Sequence, residues 1–92
     1  PDRAAAEALA RSLVEDRLAA CVQLRDVGSV YRWEGDVVED DEVALDVKTP
    51  RGFEAIADAI RARHPYDVPE IVGVDLDDVD ADYADWADDV TG

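Results

Sequence analysis

Apolar side chains near the start of the chain recur with the period of one helical face. Their spacing of three and four residues is typical of an amphipathic helix, and Asp2 stands where an N-cap residue would. We therefore predict a first helix over residues 3 to 18. The apolar positions are Ala6, Leu9, Ala10, Leu13 and Val14.

Two stretches with strand character follow. The run "CVQLRDVGSVYRW" (21–33) is rich in strand-forming residues, and its Asp26–Gly28 part suits a bulge or bend. Val43, Leu45 and Val47 then alternate with polar or small residues, as in a half-buried strand. The "EGD" between the two stretches (34–36) carries the glycine that a hairpin turn needs. The pattern predicts one long, bent strand and a second strand paired as a hairpin.

The second half of the chain predicts helix, strand, helix. Thr49-Pro50 is a helix-start signal, Thr capping and Pro at the first helical position, and the helix should end near Arg63 or His64 because Pro65 disfavours helical backbone before it. Pro65 and Pro69 leave residues 66–68 extended or turning, and "EIVGVDL" (70–76) predicts the next strand. The apolar stripe of the second helix is Phe53, Ile56, Ala57 and Ile60; that of the last is Tyr83, Trp86, Ala87 and Val90.

This element order predicts an α+β fold. Helix, strand, strand, helix, strand is a ferredoxin-like βαββαβ unit without its opening strand, an antiparallel sheet with helices on one face, followed by an extra C-terminal helix. We expect residues 1–92 to form a single domain, since a chain of this length supports one small core. The missing strand suggests a fragment of a longer product, or a gap filled by another segment.

The charge balance narrows the function. The chain carries 24 acidic and 9 basic residues, a net charge of -15, so nucleic acid is not an expected partner. Seventeen of the acids are Asp and Lys48 is the only lysine, a bias that suggests a protein working in concentrated salt, where screening removes self-repulsion. No apolar run reaches membrane-spanning length, and the single cysteine implies no internal disulfide. We expect a cytoplasmic protein with no membrane partner.

Several blocks together resemble a known family. They are "EDRLAACVQL" (15–24), "SVYRWEG" (29–35), "VKT" (47–49), "HPYDVPEI" (64–71) and "DYADW" (82–86). In this order and at these separations they look like the CutA divalent-cation tolerance family, over essentially the whole chain. The resemblance ends at the N-terminus, where the family has a strand leading into a short Ala-Pro-containing segment, of which only Pro1-Asp2 corresponds.

The resemblance implies a function and an assembly. It implies a homotrimer of ferredoxin-like subunits, with the long hairpin reaching into its neighbours, that binds copper or another divalent metal and is associated with the response to metal ions. The family shares its fold with PII-type signalling proteins. The alternative is therefore a PII-like trimer that binds a small anionic ligand in intersubunit clefts lined by the hairpin and Lys48. A purely structural interaction module is a third possibility.

His64 and Cys21 are the candidate metal ligands. Imidazole suits Cu(II) and Zn(II), and a thiolate suits Cu(I). Each also has a plain structural interpretation: His64 as the last residue of a helix, and Cys21 as a buried core residue. Because one subunit supplies only these two nitrogen or sulfur ligands, a closed site would need carboxylates or other subunits.

Three residues near the hairpin tip are candidates for the trimer interface. Tyr31, Trp33 and Glu34 would leave two large aromatic rings exposed in a monomer, although packing under the helices is an alternative. Lys48 is a candidate anion contact, and Tyr83 and Trp86 are expected to hold the terminal helix in place. No catalytic constellation, glycine-rich phosphate loop or paired-histidine motif is present, so we expect no enzyme.

Overall fold

The computed structural model describes residues 2–64 and 68–92. Within them the chain forms three helices and one two-stranded antiparallel sheet. The elements in chain order are α1 (Arg3–Glu15), β1 (Cys21–Trp33), β2 (Asp36–Lys48), α2 (Phe53–Arg63) and α3 (Ala81–Thr91). No helix in these residues is both long and apolar enough to cross a membrane.

The hairpin is the longest feature of the fold. β1 and β2 pair along all 13 residues of each strand, from Cys21 opposite Lys48 to Trp33 opposite Asp36. Glu34 and Gly35, which join them, have φ angles of 49° and 88°. Two consecutive residues with positive φ form the tight turn that matches the twist of the paired strands, so the predicted turn is confirmed. The register runs without an inserted residue, so of the bulge or bend predicted at Asp26–Gly28 the bulge is absent.

Alternation along the hairpin separates its two faces. α1 contacts both strands, and the Arg3 side chain of α1 forms a salt bridge with Asp26 at 2.9 Å. Asp26 and the residues on the same face of the hairpin therefore point toward the helices. Leu24 and Leu45, opposite each other in the register, belong to this face. Cys21 and Arg25 belong to the other face, which is turned away from the helices.

The core lies between α1, α2 and the helix-facing side of the hairpin. Leu13 is fully buried, and α2 packs against α1. The other buried apolar side chains are mostly small: Ala6, Ala10, Ala19, Ala20, Val43, Ile56, Ala57 and Ala87. The helical stripes predicted for α1 and α2 therefore point mostly inward, although Val14 of α1 and Phe53 of α2 remain 42% and 44% exposed.

Helix boundaries differ from the predictions where side chains find other partners. The Asp2 carboxylate accepts from the Ala5 N–H at 2.8 Å, so the predicted N-cap of α1 is confirmed. α1 ends at Glu15 rather than at 18, because Arg17 adopts left-handed backbone with φ of 61°. α2 begins after Gly52, so the prediction that Thr49 caps it was wrong. The Thr49 hydroxyl instead donates to the Leu18 carbonyl at 2.7 Å.

The strand predicted over residues 70–76 does not form. These residues are irregular in the structure, and Val72, Val74 and Leu76 are largely exposed. A strand needs a partner backbone for its N–H and C=O groups, and none of the described residues pairs with this segment. The sheet accordingly has the two hairpin strands and, within the described ranges, lacks both the opening and the final strand of a complete ferredoxin-like unit. Of the "HPYDVPEI" block, residues 65–67 lie outside the described part.

Candidate functional site

His64 lies at the end of α2, as its position before a proline predicts. Its backbone N–H donates to the Ile60 carbonyl at 2.8 Å, and its φ and ψ of -88° and 134° take the chain out of the helix. The side chain is half-buried, and burial lowers the pKa of His64 from its usual value of 6.5. The imidazole is therefore neutral at pH 7, the state in which a ring nitrogen can bind a metal ion.

Cys21 is the first residue of β1 and lies in the sheet, whereas His64 lies in the helix layer. It is half-buried and free of any disulfide. It stands opposite Lys48 in the hairpin register, on the face turned away from the helices. Cys21 is therefore not a fully buried core residue, and its thiol is accessible to a second molecule.

The part of the chain that the structure describes does not bring a set of metal ligands together in one copy. Within residues 2–64 and 68–92, no three side chains of His, Cys, Asp or Glu lie close enough to hold a metal ion. The structure thus leaves His64 and Cys21 as separate candidates, one in the helix layer and one on the far face of the sheet. Any site with three or more ligands that includes them would draw on another copy or on residues 65–67.

A charged cluster that the sequence analysis missed lies close to Cys21. The Arg25 guanidinium donates to both oxygens of the Asp46 carboxylate, at 2.7 and 3.0 Å. This bidentate hydrogen bonding lowers the pKa of Asp46, with further lowering from the charges of Arg25 and Lys48, and it raises the pKa of Arg25. Lys48, Arg25 and Cys21 share one face, and Lys48 also acts on the Asp46 carboxylate that Arg25 binds. The signal was available in the hairpin pattern, because Gln23 opposes Asp46 and Arg25 is its diagonal neighbour.

The same diagonal pairing continues toward the hairpin tip. Ser29 donates to Glu42 at 2.9 Å, and the Tyr31 hydroxyl donates to Asp40 at 3.4 Å. These contacts hold the far face of the hairpin in one side-chain arrangement. The aromatic rings remain accessible, with Tyr31 38% and Trp33 52% exposed, and Glu34 is exposed in the turn. Tyr31, Trp33 and Glu34 therefore do not pack under the helices of their own chain.

An open cleft of about 430 Å³ lies where the start of α1 meets the middle of the hairpin. Asp2, Asp26 and Asp41 line it with one cation, Arg3, which is paired with Asp26. A cleft with this charge does not attract an anion. It contains none of the predicted site residues, so this cleft gives no support to the small-anion hypothesis.

Comparisons with known proteins agree with the family resemblance. The family model described as "CutA1 divalent ion tolerance protein" matches residues 1–90. The divalent-cation tolerance protein CutA of Thermus thermophilus is 44% identical over 94 residues, covering 100% of this chain and 91% of that protein. A crystal structure of CutA1 from Pyrococcus horikoshii superposes with a TM-score of 0.94 at 40% identity, covering 100% of this chain and 91% of the other.

A third similar protein carries a different functional description. It is a PII-like protein CutA from Nostoc, in apo form, with a TM-score of 0.89 and 35% identity over 98% of this chain and 89% of the other. The α+β ferredoxin-like fold predicted from the element order is thereby confirmed, as is the resemblance itself. With a family model over nearly all residues and a relative above 40% identity, the chain belongs to the CutA1 divalent ion tolerance protein family.

Proposed function

We propose that this protein is a cytoplasmic homotrimer that binds a divalent metal ion, copper in particular, as part of cation tolerance. The observation that supports metal binding best is the state of His64, a half-buried imidazole whose lowered pKa keeps it neutral at physiological pH. The family name, divalent ion tolerance, agrees with this chemistry without fixing it. Each subunit contributes one domain, residues 1–92.

We infer that a metal site would be shared between copies of the chain, because each copy has few nitrogen and sulfur ligands. The chain has one histidine and one cysteine, and no cluster of three candidate ligands occurs among the described residues of a single copy. Three copies related by a threefold axis would bring three equivalent imidazoles or thiols toward one another if the residue lies near that axis. Nitrogen and sulfur donors of this kind favour copper and zinc over magnesium or calcium.

Assembly through the hairpin tip is supported by the exposure of its aromatic side chains. Tyr31 and Trp33 lie beyond the cover of their own helices, and Glu34 marks the turn. Aromatic residues in such a place are the side chains that most often anchor protein interfaces. We propose that they bind the neighbouring copy, which would also bring the far face of one hairpin close to another subunit.

Calorimetric titration of Cu(II) into the full chain in molar salt tests the metal proposal. Saturable binding at a fixed number of ions per assembled particle is expected, and His64→Ala should abolish it. Asp58→Asn is the matched control, since Asp58 is an exposed carboxylate on the same helix that pairs with Arg61 at its surface. Weak binding that is the same in all three proteins would mean that the acidic surface collects ions without a site, and would refute the proposal.

Light scattering tests the assembly proposal separately. The expected mass is three times the 10.1 kDa of one chain, and Trp33→Ala should shift the particle toward monomer at low concentration. Trp86→Ala is the control, because Trp86 is comparably exposed but lies on α3. A monomer mass for the unmodified protein at high salt would refute the trimer and every shared ligand set with it.

A PII-like role is the second candidate, and Lys48 favours it, since Arg25 is already paired with Asp46. Lys48 stands at the base of the hairpin on its far face, the face proposed to come close to a neighbouring copy. A small anionic ligand would bind there in an intersubunit cleft. Thermal shifts with a nucleotide or organic acid that persist in His64→Ala and vanish in Lys48→Gln would support this role over metal binding.

The remaining proposals concern environment and chemistry. The excess of Asp and the near absence of lysine favour a halophilic setting, in which the net charge of -15 is screened. The single cysteine favours a reducing, cytoplasmic compartment. We propose no catalytic activity, because the sequence has no catalytic constellation, glycine-rich phosphate loop or paired-histidine motif. Compactness that is equal at low and at molar salt would contradict the halophilic setting.

A further inference from the structure

The charges of this chain are divided unevenly along its length. All nine lysine and arginine residues precede residue 64. Residues 2–64 also contain fourteen acidic residues, so their net charge is -5. Residues 68–92 contain nine acidic residues and no basic one, a net charge of -9. The C-terminal segment therefore repels the rest of its own chain whenever that repulsion is not screened.

The end of α3 adds an unfavourable local interaction. A helix C-terminus carries a partial negative charge, which basic residues in the last turn usually offset. The last turn of α3 has no basic residue and contains Asp88 and Asp89 instead. The acidic side chains of the last turn thus destabilise the C-terminal end of α3, and the positive charges that compensate for them come from outside the helix.

Two arginines from other parts of the chain supply that compensation. The Arg51 Nη2 donates to the Thr91 carbonyl at 2.7 Å, and the Arg17 Nη1 donates to the Gly92 backbone oxygen at 3.3 Å. Arg17 lies between α1 and β1, and Arg51 lies between β2 and α2. We call the two arginines with these two backbone oxygens the arginine clasp.

The loop geometry positions both arginines of the clasp. Arg17 has left-handed backbone, and its carbonyl accepts a hydrogen bond from the Arg51 Nε at 3.1 Å. The Thr49 hydroxyl accepts from the Arg51 N–H at 3.0 Å and donates to the Leu18 carbonyl. A non-glycine residue at positive φ is costly and persists where surrounding contacts require it. The two loops are therefore fixed to each other and present both guanidinium groups to α3.

Apolar burial alone holds α3 weakly. Its buried side chains are Ala87 and Thr91, both small, while Tyr83 and Trp86 contact each other with ring centroids 5.5 Å apart and are 42% and 44% exposed. The expectation that these two aromatics hold the helix in place is thus only partly met. Docking of α3 depends to an unusual degree on the clasp.

We infer that α3 is a salt-controlled latch, docked on the body at high ionic strength and released at low ionic strength. The stronger bond of the clasp, from Arg51 to the Thr91 carbonyl at 2.7 Å, is short and partly buried, and Thr91 is nearly inaccessible, so salt screens this bond little. The Arg17 bond to Gly92 is longer, at 3.3 Å, and exposed. The repulsion between the C-terminal segment and the body acts over longer distances, and the screening length falls from about 30 Å at 0.01 M to about 3 Å at 1 M salt. Salt therefore removes the force that opens the latch while leaving most of the force that closes it.

Hydrogen exchange of the full chain, followed by mass spectrometry, tests the latch. The exchange rate of α3 amides should fall as NaCl is raised from about 0.05 M to about 2 M, while the amides of α1 keep their rate. Arg51→Ala should accelerate exchange in α3 about ten- to hundredfold at the higher salt, where the helix is docked, the range for losing a hydrogen bond to a charged group. Arg61→Ala is the matched control, because it removes the same charge from α2 and breaks a surface pair with Asp58.

A second variant keeps the test decisive if Arg51→Ala fails to fold. The double substitution Asp88→Asn and Asp89→Asn leaves the clasp intact and reduces the negative charge at the helix end, so it should slow α3 exchange at low salt. Exchange in α3 that is independent of salt overturns the inference. It is equally overturned if Arg61→Ala matches Arg51→Ala, or if α1 and α3 always change together, since that would be global unfolding.

Discussion

A single methyl group at Gly73 tests how the segment after α2 packs on the body. A Cβ at this position would lie 2.6 Å from Cδ1 and 3.2 Å from Cε1 of the Phe53 ring, closer than carbon atoms approach without displacement. Phe53 is only half-buried, so its ring can move outward, but it then loses its contact with the Gly73 backbone. The structure therefore predicts that Gly73→Ala destabilises the protein through one identified contact.

The expected magnitude follows from two opposing effects. Overpacking by one methyl group costs about 1–3 kcal/mol. Restricting the unfolded chain by replacing glycine returns about 0.4–1 kcal/mol, since Gly73 is not among the residues with positive φ. The net loss in the free energy of unfolding for Gly73→Ala should thus be about 0.5–2 kcal/mol.

A double-mutant cycle with Phe53→Ala, measured by urea unfolding at fixed protein concentration, isolates the contact. Phe53→Ala removes the three atoms nearest to the new Cβ, so in that background Gly73→Ala should become stabilising, by about 0.4–1 kcal/mol. This reversal of sign is the signature of the clash. An equal cost of Gly73→Ala in both backgrounds would refute the packing of this segment against the start of α2.

Two further predictions concern the hairpin and the core. Arg25 lowers the pKa of Asp46, so the stability that this pair contributes is present above pH 3.8, the usual pKa of Asp, and is lost as the pH falls through the lower folded-state value. In unfolding measured at several pH values, Asp46→Asn should remove that part of the acid dependence. An unchanged loss of stability at low pH would contradict the prediction. Leu13→Ala should lower the free energy of unfolding, measured in urea, by about 2–5 kcal/mol because Leu13 is fully buried. Val14→Ala, on the exposed side of the same helix, should lower it much less. Similar losses for the two variants would contradict the assigned core face.

Local patterns in the sequence predict most of the elements. The caps and stripes of α1 and α2 and the "EGD" turn involve residues close together in the chain, so their outcome depends little on distant partners. Asp2 caps α1 and Glu34-Gly35 form the turn as expected. Thr49 is the exception, because its hydroxyl had a competing acceptor in Leu18, 31 residues away in sequence.

Features that depend on distant partners escape the sequence patterns. The alternation over residues 70–76 shows which side chains share a face, but it cannot supply the neighbouring backbone that a strand requires. The clasp joins Arg17 and Arg51 to the end of α3 across 40 residues or more, and no local pattern marks it. His64 was assigned its helix-ending role correctly, since a proline follows it, while its role toward a metal ion remains a prediction.

The unbroken hairpin register limits how the length of this arm can change in evolution. Adding one residue to each strand would extend the hairpin by one pair and turn every side chain nearer the tip to the opposite face, so Tyr31 and Trp33 would point to the helix side. Only insertions or deletions of two residues in each strand preserve both the pairing and the facing of the tip. The reach of the arm can therefore vary only in steps of about 7 Å, each requiring about four residues.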